Sequence, residues 1–168
     1  EKGADAVGGR ITIKKSDLLE MNDKARRFHL LDTGYRLLAA EAEARLDFVA
    51  HDYLPRHHQH FNGSFAVTTD AFRRAGGIPA VSFLEDVAFF QALMRIDAKF
   101  RHSPLVRVET SSRTAGRTEM GLSTQINEWL EMGRNGDTYY VESAQAVIER
   151  IKSRNLLRKF WGEKKFST

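Results

Sequence analysis

At 168 residues, 42% of them hydrophobic, the chain suits one domain with a filled core; with no cysteine it excludes disulfides and thiolate metal sites. It has no apolar run near the length of a membrane span, no signal-peptide core and no start Met, so it is expected to begin inside a longer protein or after processing. A net charge of +4 favours anionic partners such as phosphates, nucleotides, acidic lipids or nucleic acid.

Ala6 to Ile13 alternates and is β-branched at its end, which predicts a strand. Gly8-Gly9 within it marks a bulge or a close backbone approach. Ser16-Asp17 is placed to cap a helix from Leu18. From Asp32 to Val49 the spacing of Tyr35, Leu38, Ala42, Leu46 and Val49 predicts a longer helix. A polar, His-rich loop follows, then a short buried strand from Ser64 to Thr68. Thr69 or Asp70 would cap a short helix that Gly76-Gly77 ends. Glu85 to Ile96 reads as a helix with Val87, Phe90, Leu93 and Met94 as its apolar stripe. Phe100 and Leu105 to Val108 fit one or two strands around Pro104. Leu122 to Met132 and Ser143 to Leu157 read as helices, with Gly133 to Asp137 as the linker between them.

Candidate chemistry concentrates between His60 and Arg117. Glu85-Asp86 opens a helix, where the macrodipole stabilises anions, and a carboxylate held there beside a cleft can take a proton from a hydroxyl. Acids are also an ordinary first-turn preference. His102, between Arg101 and Ser103-Pro104 at a strand end, could bind a divalent metal or a phosphate, or serve a structural role. Arg113 and Arg117, among Ser, Thr and Gly after a strand, suit a diphosphate, because the guanidinium fork grips its oxygens in pairs; a solvated basic loop is the plain reading. His57, His58 and His60 are neighbours that point in different directions, so a structural reading leads, with His60 the one expected to line a site.

Taken in order, Gly3-Ala4-Asp5-Ala6-Val7-Gly8-Gly9, His60-Phe61-Asn62-Gly63-Ser64-Phe65-Ala66-Val67, Phe72 to Gly77, Glu85-Asp86 and Thr110 to Arg117 resemble the C-terminal half of a family 2 glycosyltransferase catalytic domain. The resemblance covers about residues 3–130. It implies an α/β chain with part of a Rossmann-like, three-layer α/β/α nucleotide-diphospho-sugar transferase fold. It implies sugar transfer, of hexosyltransferase type, from a nucleotide-sugar donor to an acceptor hydroxyl, usually with inversion and with Mn2+ or Mg2+. Asp86 then matches the catalytic base and Glu85 its neighbour. His60, Asn62, Gly63 and Ser64 match the segment flanking acceptor and donor sugar, Arg113 and Arg117 the diphosphate contacts, and His102 a metal contact. Residues 1–132 would form the acceptor-side domain and 138–168 a helical extension, with Ser16 to Pro55 as an acceptor-side insertion.

The chain contains no Asp-x-Asp, the motif that holds the metal against the diphosphate in this family. It is therefore expected to lack the N-terminal nucleotide-binding half and to be weak or inactive alone, since charge stabilisation is a large part of such catalysis. A truncated sheet would expose an edge, so pairing with another copy or with the missing half is expected. With no cysteine a cytoplasmic location is expected, with the inner face of the membrane as a place of peripheral contact, and no nucleic-acid partner is expected. A non-catalytic binding module of the same fold is the alternative. So is an anionic-surface binder built on the basic stretch from Arg150, where Leu156, Leu157, Phe160 and Trp161 are interleaved with Lys and Arg.

Overall fold

A computed structural model of the chain describes residues 3–60, 63–116 and 120–165, with side chains to Trp161. Among these residues the architecture is mixed α/β, with six helices and one sheet of strand order β2-β1-β3. β1 (Ala6–Ile13) is central; it pairs antiparallel with β2 (Phe65–Val67) and parallel with β3 (Phe100–Thr110). Parallel neighbours need a long crossover. It runs through α1 (Lys15–Glu20), α2 (Asp23–Leu46), β2, α3 (Thr69–Arg74) and α4 (Glu85–Arg95). α5 (Leu122–Asn135) and α6 (Ala144–Lys165) follow β3.

Gly8-Gly9 does both things its position suggests. The ladder to β3 shifts register there: Gly9 faces Ser103 and Arg10 faces Arg107. Pro104 falls in the skipped part of β3, where its missing N–H removes no ladder bond. One irregular strand therefore spans Pro104. A Cβ on Gly8 would stand 2.2 Å from the His60 carbonyl oxygen, and one on Gly9 would stand 2.5 Å from Ser64 Oγ. The absent side chains let the chain around His60 and Ser64 lie directly on β1.

A core forms at each end of β1. Ala6 packs with Ala71, Phe89, Ala92, Leu93 and Phe100 beneath α3 and α4. Ile13 packs with Met21, Ala25, Ile126 and Trp129 among α1, α2 and α5.

Several elements differ from the sequence expectation. α2 starts at Asp23, where the Asn22 side chain accepts from the Ala25 N–H. Its buried face is Ala25, Asp32, Ala40 and Ala44, while Leu38 is 68% exposed and faces outward. The physical reason is close helix packing, which selects small residues over leucines. Gly133, expected in a linker, lies inside α5 for the same reason: a Cβ there would come within 3.1 Å of Lys24 Cβ. α5 ends at left-handed Gly136. α4 buries Phe89, Ala92 and Leu93 rather than Met94. α1 starts at Lys15 with no side-chain cap, and α3 is capped by Thr68, whose hydroxyl accepts from the Ala71 N–H.

α6 is fastened to α2 by charge. Arg154 reaches Glu43 at 2.6 Å and Asp47 at 3.4 Å, and Arg158 reaches Asp47 at 2.8 Å. Beyond β3 the sheet has no further strand among the described residues, and Leu105, Val106 and Val108 are exposed there. No helix among the described residues is long and apolar enough to cross a membrane.

Candidate functional site

The site grows from the segment that follows α2. His51 to His60 forms no helix or strand, so its backbone and polar side chains need tertiary partners. β1 supplies several. His57 accepts from the Gln59 N–H at Nδ1, which leaves Nε2 to donate to the Gly8 carbonyl at 3.1 Å. The Gln59 side-chain amide pairs with both the N–H and the C=O of Ile11, at 2.7 and 2.9 Å, where β2 no longer reaches.

Asp52 is the hub. It is buried and accepts from the His102 backbone N–H at 2.8 Å and from His102 Nδ1 at 2.7 Å. Arg56 contacts the same carboxylate at 2.6 Å and Arg101 at 3.3 Å. Burial alone would raise this carboxyl's pKa; the His102 ring, its backbone N–H and Arg56 outweigh that and hold it well below the ordinary carboxylate range. Arg101 is fully engaged: it donates to the Tyr53 and Pro55 carbonyls and lies 4.1 Å over the Tyr53 ring.

His102 passes the chain onward. Its Nε2 lies 3.0 Å from Nδ1 of His60, whose ring stacks on Phe90 with centroids 3.9 Å apart. Asp52, His102 and His60 thus form one hydrogen-bonded row leading from the interior to the surface. Desolvation, then the neighbouring His102, lowers the His60 pKa to about 4; the Phe90 stack explains how an accessible residue loses hydration at its ring. Desolvation likewise lowers His57 and His58 to about 4.

The row opens on a cleft of about 360 Å³ bounded by α2, the loop 56–60, residues 139–142 and the start of α6. Its wall includes Arg36, Glu43, Arg56, His58, His60 and Tyr139. Each cation there has its own carboxylate: Arg36 with Asp32 at 2.8 Å, Arg56 with Glu43 at 2.8 Å, Arg150 with Glu142 at 2.9 Å. His58 Nδ1 is buried in the wall and has no hydrogen-bond partner among the described residues.

The sequence candidates fall into three groups. His60 and His102 meet, and Ser64 lies against Gly9, accepting from its N–H at the backbone carbonyl at 2.7 Å. Gly63 turns the chain between them with φ +83°. Glu85 is exposed and Asp86 half-buried on the first turn of α4, entered through left-handed Leu84. Asp86 accepts from the Val87 N–H at 2.8 Å and lies one helical turn before Phe90, the residue that stacks on His60. Arg113 is exposed on the loop after β3, which Ser112 and Thr114 tether to Asp17 and Asn127. The length of β3 separates it from His102, roughly 25 Å at strand rise. Asn62 and Arg117 lie outside the described residues.

Asp52 and Gln59 are the members that sequence reasoning missed. The only signal was an Asp beside a cluster of histidines, and its partner His102 is 50 residues away. Metal binding finds little support in this donor set: no three His, Asp or Glu side chains converge suitably among the described residues. Both ring nitrogens of His102 already face partners, so a metal there would have to displace Asp52 or His60. Comparison with family models, curated proteins and solved structures finds no match for the chain.

Proposed function

We propose that the chain supplies the acceptor side and general base of a family 2 glycosyltransferase, built on a three-layer α/β/α nucleotide-sugar transferase fold. The observation that carries this reading is a convergence. α4, which Glu85-Asp86 opens, meets the segment starting at His60, distant in sequence, through the Phe90–His60 stack at 3.9 Å. The parallel β1–β3 pair with antiparallel β2 beside it, and the exposed outer edge of β3, are compatible with a larger sheet of that kind.

In this mechanism Asp86 accepts the proton of the acceptor hydroxyl as its oxygen attacks the anomeric carbon. The bond to the nucleoside diphosphate breaks on the opposite face, giving inversion. Asp86 stands on the first turn of α4, half-buried, where its carboxylate can face an acceptor hydroxyl. Glu85 orients the approach; Arg113, roughly 25 Å from His102 along β3, is too distant to meet the departing diphosphate at the Asp86 carboxylate. Among the described residues no set of side chains fits a divalent cation.

The test takes the chain with its upstream coding sequence and measures transfer from nucleotide sugars to sugar acceptors. Asp86→Asn should lower kcat by at least about a hundredfold, the usual scale for removing a general base. Normal turnover by that variant would overturn the role of Asp86 and favour a non-catalytic binding module. In the basic C-terminal stretch Arg154 and Arg158 pair with Glu43 and Asp47, while Leu156, Leu157, Phe160 and Trp161 are exposed.

A further inference from the structure

We propose that the cleft between α2, the loop 56–60 and α6 binds a neutral polyhydroxylated ligand, and that His60 Nε2 is its obligate hydrogen-bond acceptor, fixed by Asp52 and His102 as positioning residues. This shares with the sugar-transfer reading only the expectation of a hydroxylated ligand; the polarity of His60 follows from the hydrogen-bond row itself.

An ionised carboxylate can only accept. Whenever the His102 ring carries a single proton, Asp52 therefore holds it on Nδ1, across 2.7 Å, which leaves His102 Nε2 as an acceptor. His60 Nδ1, 3.0 Å away, must then be the donor. The remaining nitrogen, His60 Nε2, is left with a bare lone pair. Each link is enforced by the one before it, and the origin is a carboxylate held ionised by two arginines and a backbone N–H. With both rings carrying a single proton, the result is a fixed acceptor at His60 Nε2. It selects O–H groups and rejects an ether or a deoxy position.

The class of ligand follows from the walls. Arg36, Arg56 and Arg150 are each matched by a carboxylate, so the cleft offers no uncompensated charge to a phosphate or an acid. It offers instead paired donors and acceptors and the Tyr139 side chain. A sugar, which presents several hydroxyls and no charge, suits that lining. The cleft volume of about 360 Å³ accommodates one or two sugar rings.

Nitrogen-15 spectra of the histidine rings test the row directly, in the chain alone and without any nucleotide donor. His60 and His102 should both show the Nδ1–H tautomer, and His102→Gln should release His60 into a tautomer mixture. Asp52→Asn is the second variant, with circular dichroism to establish folding. An Nε2–H tautomer for His60 in the wild type would overturn the inference. Titration with glucose, galactose, mannose, glucuronate and glucose 6-phosphate tests the ligand class. At least one neutral sugar should shift the His60 Nε2 resonance, and His60→Phe, which keeps the Phe90 stack, should weaken it about tenfold. Preferential binding of the anionic sugars, or no binding by any neutral one, would overturn it. Sugar binding with unimpaired transfer by Asp86→Asn would sink the proposed base and leave the cleft standing.

Discussion

Asp52 holds the histidine row, Arg101 and Arg56 on one buried carboxylate, so its removal leaves two guanidinium groups without their shared anion. Breaking one member of a buried ionic set costs about 3–5 kcal/mol. Asp52→Asn should therefore lower stability on that scale, read as a shift of the urea midpoint at pH 7. A second expectation concerns acid. His57, His58 and His60 have folded pKa values near 4 against an ordinary 6.5, so below 6.5 the unfolded chain binds the protons the folded one refuses. Stability should be full above pH 6.5 and fall as pH drops toward 4. Asp52, lowered as well, adds its own loss only below the ordinary carboxylate pKa of 3.8. A urea midpoint that stays flat from pH 7.5 to 4.5 would contradict this.

At the scale of elements, the decisive contact is the crossing of the His60 segment over β1. Gly8→Ala would drive a methyl into the His60 carbonyl and the Phe100 ring. It should cost about 3 kcal/mol or more, at the upper end for overpacking, and should also disrupt the His60–His102 contact, which histidine ring spectra would report. Asn22→Ala, which removes only the α2 cap, should cost about 1 kcal/mol and leave the histidines undisturbed. Such contrasts mark what the sequence could reveal. Gly8-Gly9 announces a close approach because nothing but glycine tolerates one, and β1 is legible end to end from its alternation. The face of α2 was not legible. Leucines are the stronger hydrophobic signal, yet Leu38 points outward and the alanines face in, because closeness of neighbouring helices rather than residue hydrophobicity decides that face. Asp52 was illegible for another reason: its significance lies wholly in partners that the sheet brings to it.

Across the whole molecule, charge joins the cleft to the C-terminal helix. Asp52 contacts Arg56, Arg56 contacts Glu43, Glu43 contacts Arg154, and Asp47 gathers Arg154 and Arg158. Asp47 is buried, so neutralising it leaves two arginines poorly matched. Asp47→Asn should raise amide hydrogen exchange in α6 about tenfold while β1 keeps its protection; equal exchange in both variants would remove Asp47 from this role.

The loop that carries the histidines has a kinetic consequence. The bonds that fasten it to the sheet join residues far apart along the chain: 48 positions for Gln59 and Ile11, 49 for His57 and Gly8, 50 for Asp52 and His102. None can form within a local stretch of chain, and contacts of such separation are rewarded only after the loop-closure entropy has been met. The tautomer of His60 is thus decided late, when β1 and β3 have already paired. During refolding, the appearance of its Nδ1–H signal would time the completion of the fold itself.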